Sequence, residues 1–247
     1  MNNIEKKYSK SSVGKKFTTN EGYECNVIDG GSKPSYCTIR IGSWVTELAV
    51  SSIKSGAVKY PYHHSVFNVG YLGVGKYRTT IDSKPTKVYA VWVSMLQRCY
   101  EPKTQAKYPT YKNVVVDKNW HNFQTFAKWF EENYQEDWEI DKDLLSPIDN
   151  KIYSPNTCVF LPKALNGFLT NNHNNNTSGH IGVARDKRAN KWVAQIRDGE
   201  GNRAHLGYFT SKEEASNVYK LAREKYANKW QESMQGILPS KVIANIC

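Results

Sequence analysis

Four polar side chains in the last third of the chain have the types and spacing needed to read the edge of a base pair. Gln195 and Arg197 lie two apart in Lys191-Trp192-Val193-Ala194-Gln195-Ile196-Arg197. Arg203 and His205 lie two apart in Arg203-Ala204-His205-Leu206-Gly207-Tyr208-Phe209. Both stretches alternate as β-strands do, and residues two apart on a strand project from the same face. Arginine can donate two parallel hydrogen bonds to guanine O6 and N7, and glutamine can pair with adenine N6 and N7. The chemistry on offer is therefore recognition in the major groove. The plainer alternative is a solvated polar face on a small sheet.

The whole chain favours an anionic partner. Its formal net charge is +11, the footprint of a polyanion binder, although charge alone also fits an ordinary basic protein. No apolar run is long enough to span a membrane, and MNNIEKKYSK at the start has no hydrophobic signal core. Cys25, Cys37, Cys99, Cys158 and Cys247 are scattered without a CxxC pair, which fits neither a disulfide framework nor a zinc site. The expected setting is a reducing cytoplasm. Aromatic residues make up 13% of the chain, and any one of them reads first as core packing.

The elements that must position these residues can be traced along the chain. Residues 11 to 60 read as short strands, with Tyr23–Val27 and Cys37–Ile41 alternating and Asp29-Gly30-Gly31 as the turn between them. This predicts a small antiparallel, barrel-like unit, either structural or nucleic-acid binding. Val69–Tyr77 contains a GxG but no strand-to-helix context and no GK[ST], so it reads as a loop along DNA rather than a nucleotide-binding loop. Val88, Val91, Trp92, Met95, Leu96 and Cys99 recur at helical spacing, and Glu101-Pro102 ends that run. Phe123, Phe126, Ala127 and Phe130 mark a second helix over 122–134, capped by Asn119 or Asn122, with Trp120 and Trp129 in the core. Glu139–Leu145, Cys158–Leu161 and Lys163–Leu169 then give a ββα pattern, and the Asn-rich tract 171–176 reads as a linker.

Beyond the linker, strands are expected at 181–185, 191–197 and 203–209. Thr210 through Glu213 has the form of a capping box. Ala215, Val218, Tyr219, Ala222 and Tyr226 make the apolar stripe of the following helix. The helix must cover one sheet face, so Val193 and Ile196, on opposite faces by parity, cannot both be buried unless a bulge intervenes; Leu206 and Phe209 carry the same ambiguity.

IGVAR, KWVAQIRD, HLGYF and the KEEA helix, spanning residues 177 to 230, resemble the Apetala-two/ethylene-response-factor DNA-binding domain. That domain occurs in plant transcription factors and in HNH homing endonucleases of phages and mobile elements. The resemblance implies a three-stranded sheet in the major groove, with Arg and Trp on its strands contacting bases and phosphates. Arg197 and Arg203 stand at DNA-contacting arginine positions, and Trp192 is carried over with them. Gln195 replaces a frequent Glu and His205 replaces a Trp. Ile181 and Ala184 stand where plant members have arginines, so the plant target sequence does not transfer. Arg185, Lys187 and Arg188 supply compensating charge from the first turn.

Residues 88 to 170, with WVSMLQRCY, IDKDLL and NKIYSPNTCVFLPKALN, look like a phage family related to HNH nucleases. In such nucleases a His ending the first strand activates water. An Asp beside it and an Asn or His on the helix hold one divalent metal. The resemblance puts Asp141 in the Asp position, Asn166 in the final position and Lys142 in place of the His. Lysine is a poor general base unless burial or neighbouring cations depress its pKa, and Asp141 and Asp143 favour its charged form. Asp143 is a further candidate ligand or base, and His121 and His173 lie nearby in sequence. Asp141, Asp143 and Asn166 read equally well as structural hydrogen-bonding residues.

The expected fold is α+β and multidomain. It comprises a β-rich module over 1–80, a degenerate HNH-like ββα core with helices over 81–170, the linker 171–176, and a three-stranded sheet packed on one helix over 177–247. The expected function is sequence-specific binding of double-stranded DNA by a protein of phage or mobile-element type, a binder or transcriptional repressor derived from a homing endonuclease. The alternative is an active homing endonuclease using Mg²⁺, and a third reading is an RNA-binding or structural phage protein. The expected place is the host cytoplasm, with no membrane partner.

Overall fold

The computed structural model describes residues 12–147, 151–170, 178–198 and 202–247. The linker tract 171–176 lies outside them. Helices and several separate sheets coexist, so the chain is α+β and multidomain. Among the described residues no helix is long and apolar enough to cross a membrane. The chain divides into two compact units, Met1–Arg78 with His121–Gln124, and Thr79–Trp120 with Thr125–Cys247.

The first unit is built on an antiparallel meander, β1 (Lys16–Thr18), β2 (Glu24–Gly30), β3 (Tyr36–Ile41) and β4 (Trp44–Ala49), in that spatial order. Period two puts Cys25, Val27, Cys37, Ile39 and Ile41 on one buried face, as expected. Ile53, on the short helix α1 (Val50–Lys54), and Val58 complete that core. Two expectations need correction. Asp29 and Gly30 belong to β2, and the turn is made by the residues that follow, where Ser35 adopts a φ of +59°. Among the described residues β1 and β4 each have one sheet neighbour, so the described strands form an open sheet rather than the expected barrel-like unit.

In the second unit, a hairpin of β5 (Thr80–Ile81) and β6 (Lys84–Pro85) precedes α2 (Lys87–Tyr100). Thr86 caps α2 by accepting the Tyr89 amide, and Trp92, Met95, Leu96 and Cys99 are its buried stripe. α3 (Pro102–Lys107) starts at the proline that ends α2. α4 (Phe123–Asn133) begins after Asn122, whose side chain accepts the Gln124 amide, so Asn122 rather than Asn119 acts as cap. Trp120 is fully buried, and Trp129 stacks on Phe160 at 5.3 Å.

A short parallel pair joins β7 (Val115–Val116) to β9 (Ile152–Tyr153). The ββα pattern is present: β8 (Trp138–Asp141) pairs antiparallel with β10 (Val159–Pro162), and α5 (Lys163–Leu169) follows directly. β8 stops at Asp141, because the Asp141 carboxylate accepts the amides of Asp143 and Leu144 and turns the chain away.

The last sheet is β11 (Val183–Asp186), β12 (Lys191–Arg197) and β13 (Arg203–Phe209), all antiparallel, followed by α6 (Lys212–Ser233) and α7 (Ser240–Ile243). The cap of α6 is Ser211, which accepts the Glu214 amide. The S-x-x-E box thus lies one residue beyond the expected Thr210–Glu213. Ala215, Tyr219, Ala227 and Trp230 are the buried apolar positions of α6, with Ser216 buried among them. Gly182 has to be glycine: its φ is +69°, and a Cβ there would meet the Tyr219 ring at 2.0 Å.

One hydrophobic core runs across the segments that flank the linker. Leu161, Leu165 and Phe168 of the ββα element pack in the same cluster as Val183, Ala194, Ile196, Ala215, Trp230, Leu238, Val242 and Ile246. A shared core makes the segments on either side energetically dependent on each other. Leu165 is fully buried in it. Leu165→Ala is therefore expected to cost about 2–5 kcal/mol and to lower hydrogen-exchange protection of the β12 amides together with that of α5. Loss of protection in α5 alone would show that the two segments unfold separately.

Candidate nucleic-acid interface

The polar face of the last sheet depends on one slip in register. Ala194 pairs with Gly207, but Gln195 pairs with His205, so Leu206 is an extra residue in β13. Before the slip Arg197 faces Arg203 and Ile196 faces Ala204; after it Val193 faces Tyr208 and Trp192 faces Phe209. A bulge of this kind changes which side chains share a face on the bulged strand alone. Gln195, Arg197, Arg203 and His205 therefore lie on one face, as their spacing predicts. Tyr208 joins them, with its ring 4.9 Å from that of His205 although the two are three residues apart.

The opposite face packs on α6. Ala194, Ile196 and Val183 are in its core, with Leu206 and Phe209 both against it. The bulge thus resolves the parity conflict of Leu206 and Phe209. It does not bring Val193 to the helix. Val193 is buried, but it lies across from Tyr208 on the polar face and outside the helix-side core.

The other candidates divide. Trp192 packs against the helix-side core, and the Arg185 guanidinium lies over its ring at 5.2 Å. By register these two residues share the face opposite Gln195 and Arg197. Lys187 and Arg188 are exposed in the β11–β12 turn. That turn is fixed by the Asp186 carboxylate, which accepts the amides of Arg188 at 2.8 Å and Ala189 at 3.0 Å and the Tyr208 hydroxyl at 3.2 Å. These bonds, from Ala189 first, hold the Asp186 carboxyl below its ordinary value, and the same pairing pushes the Tyr208 phenol up. Cations thus stand at both ends of the ribbon, Lys187 and Arg188 at one and Arg197 and Arg203 at the other. The length of β12 sets those ends about 20 Å apart.

At the Arg197 end the sheet adjoins the ββα element across an open cleft of about 790 Å³. Lys163, Asn166, Arg197, Arg203 and Arg223 line it, with Glu139 as the acid among them. Lys163 and Arg223 carry no motif, and their contribution depends on tertiary packing that the sequence does not spell out. Arg223 is held in place by the carbonyls of Phe168 and Cys247. Asn166 donates to Glu139 at 3.0 Å.

The nuclease-like positions are arranged differently from an HNH centre. Lys142 points inward and is 6% exposed. Its ammonium contacts both Asp143 oxygens at 2.8 Å and lies over the rings of Tyr111 and Tyr153, at 5.2 and 5.6 Å from their centroids. The Arg98 guanidinium lies over the same two rings. Lys151 binds Asp143 from the other side at 2.6 Å. Burial raises the Asp143 carboxyl, but the two lysines outweigh it and the net direction is down. Asp141 is the reverse: burial holds its carboxyl above the ordinary value, against the lowering effect of the Leu144 amide. His121 groups with the first unit and His173 lies outside the described residues. Among the described residues no three His, Cys, Asp or Glu side chains converge as metal ligands. With Asp141 turned to main-chain amides, Asn166 bonded to Glu139 and an ammonium in the base position, these groups fit a catalytic divalent cation poorly.

Comparison with protein families, with curated proteins and with solved structures finds no match to the chain.

The lysine cage gives a stability prediction. Lys142→Ala removes the cation from over the rings and leaves Asp143 only its partly exposed partner. The expected loss is about 1–3 kcal/mol, below that of a fully buried pair because Asp143 is half-exposed. The depressed Asp143 carboxyl stabilises the fold above its unfolded value of about 4, and that contribution fades as pH falls through the lower folded value. Asp141, with its raised carboxyl, acts in the opposite sense. Asp143→Asn should thus lower the urea midpoint at neutral pH and flatten its fall into acid, whereas Asp141→Asn should not. Equal acid limbs for parent and Asp143→Asn would refute the assignment.

Proposed function

We propose that the chain binds double-stranded DNA in a sequence-specific manner, with the face of β12 and β13 in the major groove and the ββα element as a scaffold beside it. The observation that carries this reading is the single polar face assembled by the bulge, on which Gln195, His205, Arg197 and Arg203 stand as two cross-strand pairs. Glutamine and arginine are the side chains that can read adenine and guanine bidentately. A ribbon of about 20 Å exceeds the roughly 12 Å width of the groove, so with Arg197 and Arg203 at the bases its far end, with Lys187 and Arg188, would overlie a flanking phosphate backbone. The cleft with Lys163 and Arg223 extends the basic surface toward one strand. The resemblance at 177–230 supports this mode of docking, and in this reading the protein is of phage or mobile-element type, a binder or repressor acting in a host cytoplasm.

In this reading Trp192 and Arg185 support the sheet from its helix side, and the specific contacts fall to Gln195, Arg197, Arg203 and His205. The caged Lys142 favours a binder over a nuclease. Its Nζ is directed at both carboxylate oxygens of Asp143 rather than toward the cleft that Asn166 lines.

Gel-shift and cleavage assays run in parallel test both halves. Arg197→Ala or Arg203→Ala should cost about 1–3 kcal/mol at the cognate site if the arginine reads a base. If it contacts only phosphate, affinity should fall on all sequences and the salt slope should shrink by about one unit. A double Arg197→Ala, Arg203→Ala variant with unchanged affinity and salt dependence removes the sheet as the reading surface. Plasmid incubated with Mg²⁺ or Mn²⁺ should stay intact. Robust metal-dependent cleavage, abolished by Asp141→Ala, would make the chain an endonuclease instead.

A further inference from the structure

Between Glu47 and Asp82 the chain has no carboxylate. The same stretch carries Lys54, Lys59, Lys76 and Arg78 and a dense set of aromatic side chains. In the first unit several of these rings, together with Trp44, form a continuous run. Trp44 lies 6.0 Å from Tyr60, Tyr60 5.5 Å from Tyr62, Tyr62 5.8 Å from Tyr71, and Tyr71 5.4 Å from His64, the last two stacked within 12°. Tyr23, Trp44 and Tyr60 pack against the core of the meander, which explains their presence. Core packing does not explain the other end of the run, where Tyr62 and His64 are exposed beside Leu72 and Val74.

The run is held in place by the backbone. The Gly73 amide bonds the Pro61 carbonyl at 2.8 Å, and Tyr71 is bracketed by main-chain bonds to His121 and Phe123. Gly73 has a φ of +69°, and a Cβ there would come within 2.2 Å of the Asn122 side chain, so only glycine lets the chain pass. Glu21, the acid beside Tyr60, is engaged by the Tyr60 amide at 3.1 Å and by Lys59 at 3.2 Å.

We infer that this run of rings is a stacking platform for the unpaired bases of single-stranded nucleic acid. Flat faces fixed in advance, cations in the same segment for the phosphates, and the lack of free carboxylates in it are what such a strand requires. Duplex DNA hides its base faces and would gain nothing from the exposed rings. The platform is built from residues of the first unit and shares none with the duplex-reading face, so either can fail without the other.

The test uses the full chain and three labelled oligomers of equal length in fluorescence anisotropy: an oligothymidylate, an oligouridylate and an abasic strand with the same phosphates. The expected result is binding to the first two, with the preferred one identifying the natural strand as DNA or RNA, and affinity at least about ten-fold weaker for the abasic strand. Tyr62→Ala with His64→Ala should weaken binding to the base-bearing strands by about the same factor, leave duplex binding unchanged, and be rescued at position 62 by Tyr62→Phe. Equal affinity for the abasic strand would overturn the inference. So would a double alanine variant that binds the base-bearing strands like the parent.

Discussion

The arrangement of the second unit turns on one extra residue, Leu206. A regular β12–β13 ladder would place Arg203, His205, Gly207 and Phe209 together on one face and Ala204, Leu206 and Tyr208 on the other. Burying Phe209 against α6 would then bury the arginine and histidine as well, and desolvating a charge without a partner costs several kcal/mol. The slip at Ala194/Gln195 lets the two halves of β13 answer to different demands. Its first half keeps Arg203 and His205 wet, and its second half sends Phe209 to the helix. Gly207, at a φ of +135°, supplies the backbone geometry beside the slip. The apolar core beneath and the polar face above both follow from that adjustment.

The same core ties the sheet to the ββα element. α5 presents Leu165 and Phe168 to the cluster that holds Trp230 and Ile246, while its other side carries Lys163 and Asn166 into the cleft. The cleft is therefore bounded by elements that share a hydrophobic interior, and its basic side chains gain fixed positions from that packing. Arg223 illustrates the point: its guanidinium is bonded to the carbonyls of Phe168 and Cys247, from two segments far apart in sequence.

Much of this was legible in the sequence because it rests on local periodicity. The α2 stripe, the ββα pattern, the alternating strands of the meander and the pairing of Gln195 with Arg197 on one face all follow from side-chain spacing. What was not legible depended on two segments at once. The bulge is a property of the β12–β13 pair, and parity within either strand could only flag the conflict at Val193 and Ile196. The cap at Ser211 in place of Thr210 reflects competition between adjacent hydroxyls for the first turn of α6. Trp192 and Arg185 read as groove contacts until the register with β11 put them on the helix side. The cage around Lys142 draws Tyr111, Tyr153 and Arg98 from three separate segments, and no spacing rule joins them.

That cage also constrains how the chain can change by mutation. Lys142, Asp143, Lys151, Tyr111, Tyr153 and Arg98 are mutually dependent, so replacing any one alters the cost of replacing the others. A histidine at 142 would arrive in a space shaped for a long aliphatic stem with a cation at its tip. It would leave Asp143 with a single partner, and its imidazole would lie over two phenol rings instead of facing a substrate. Acquiring a catalytic base there is thus a path of several steps whose first steps lower stability. Lys142 is in this way held in place by its neighbouring residues.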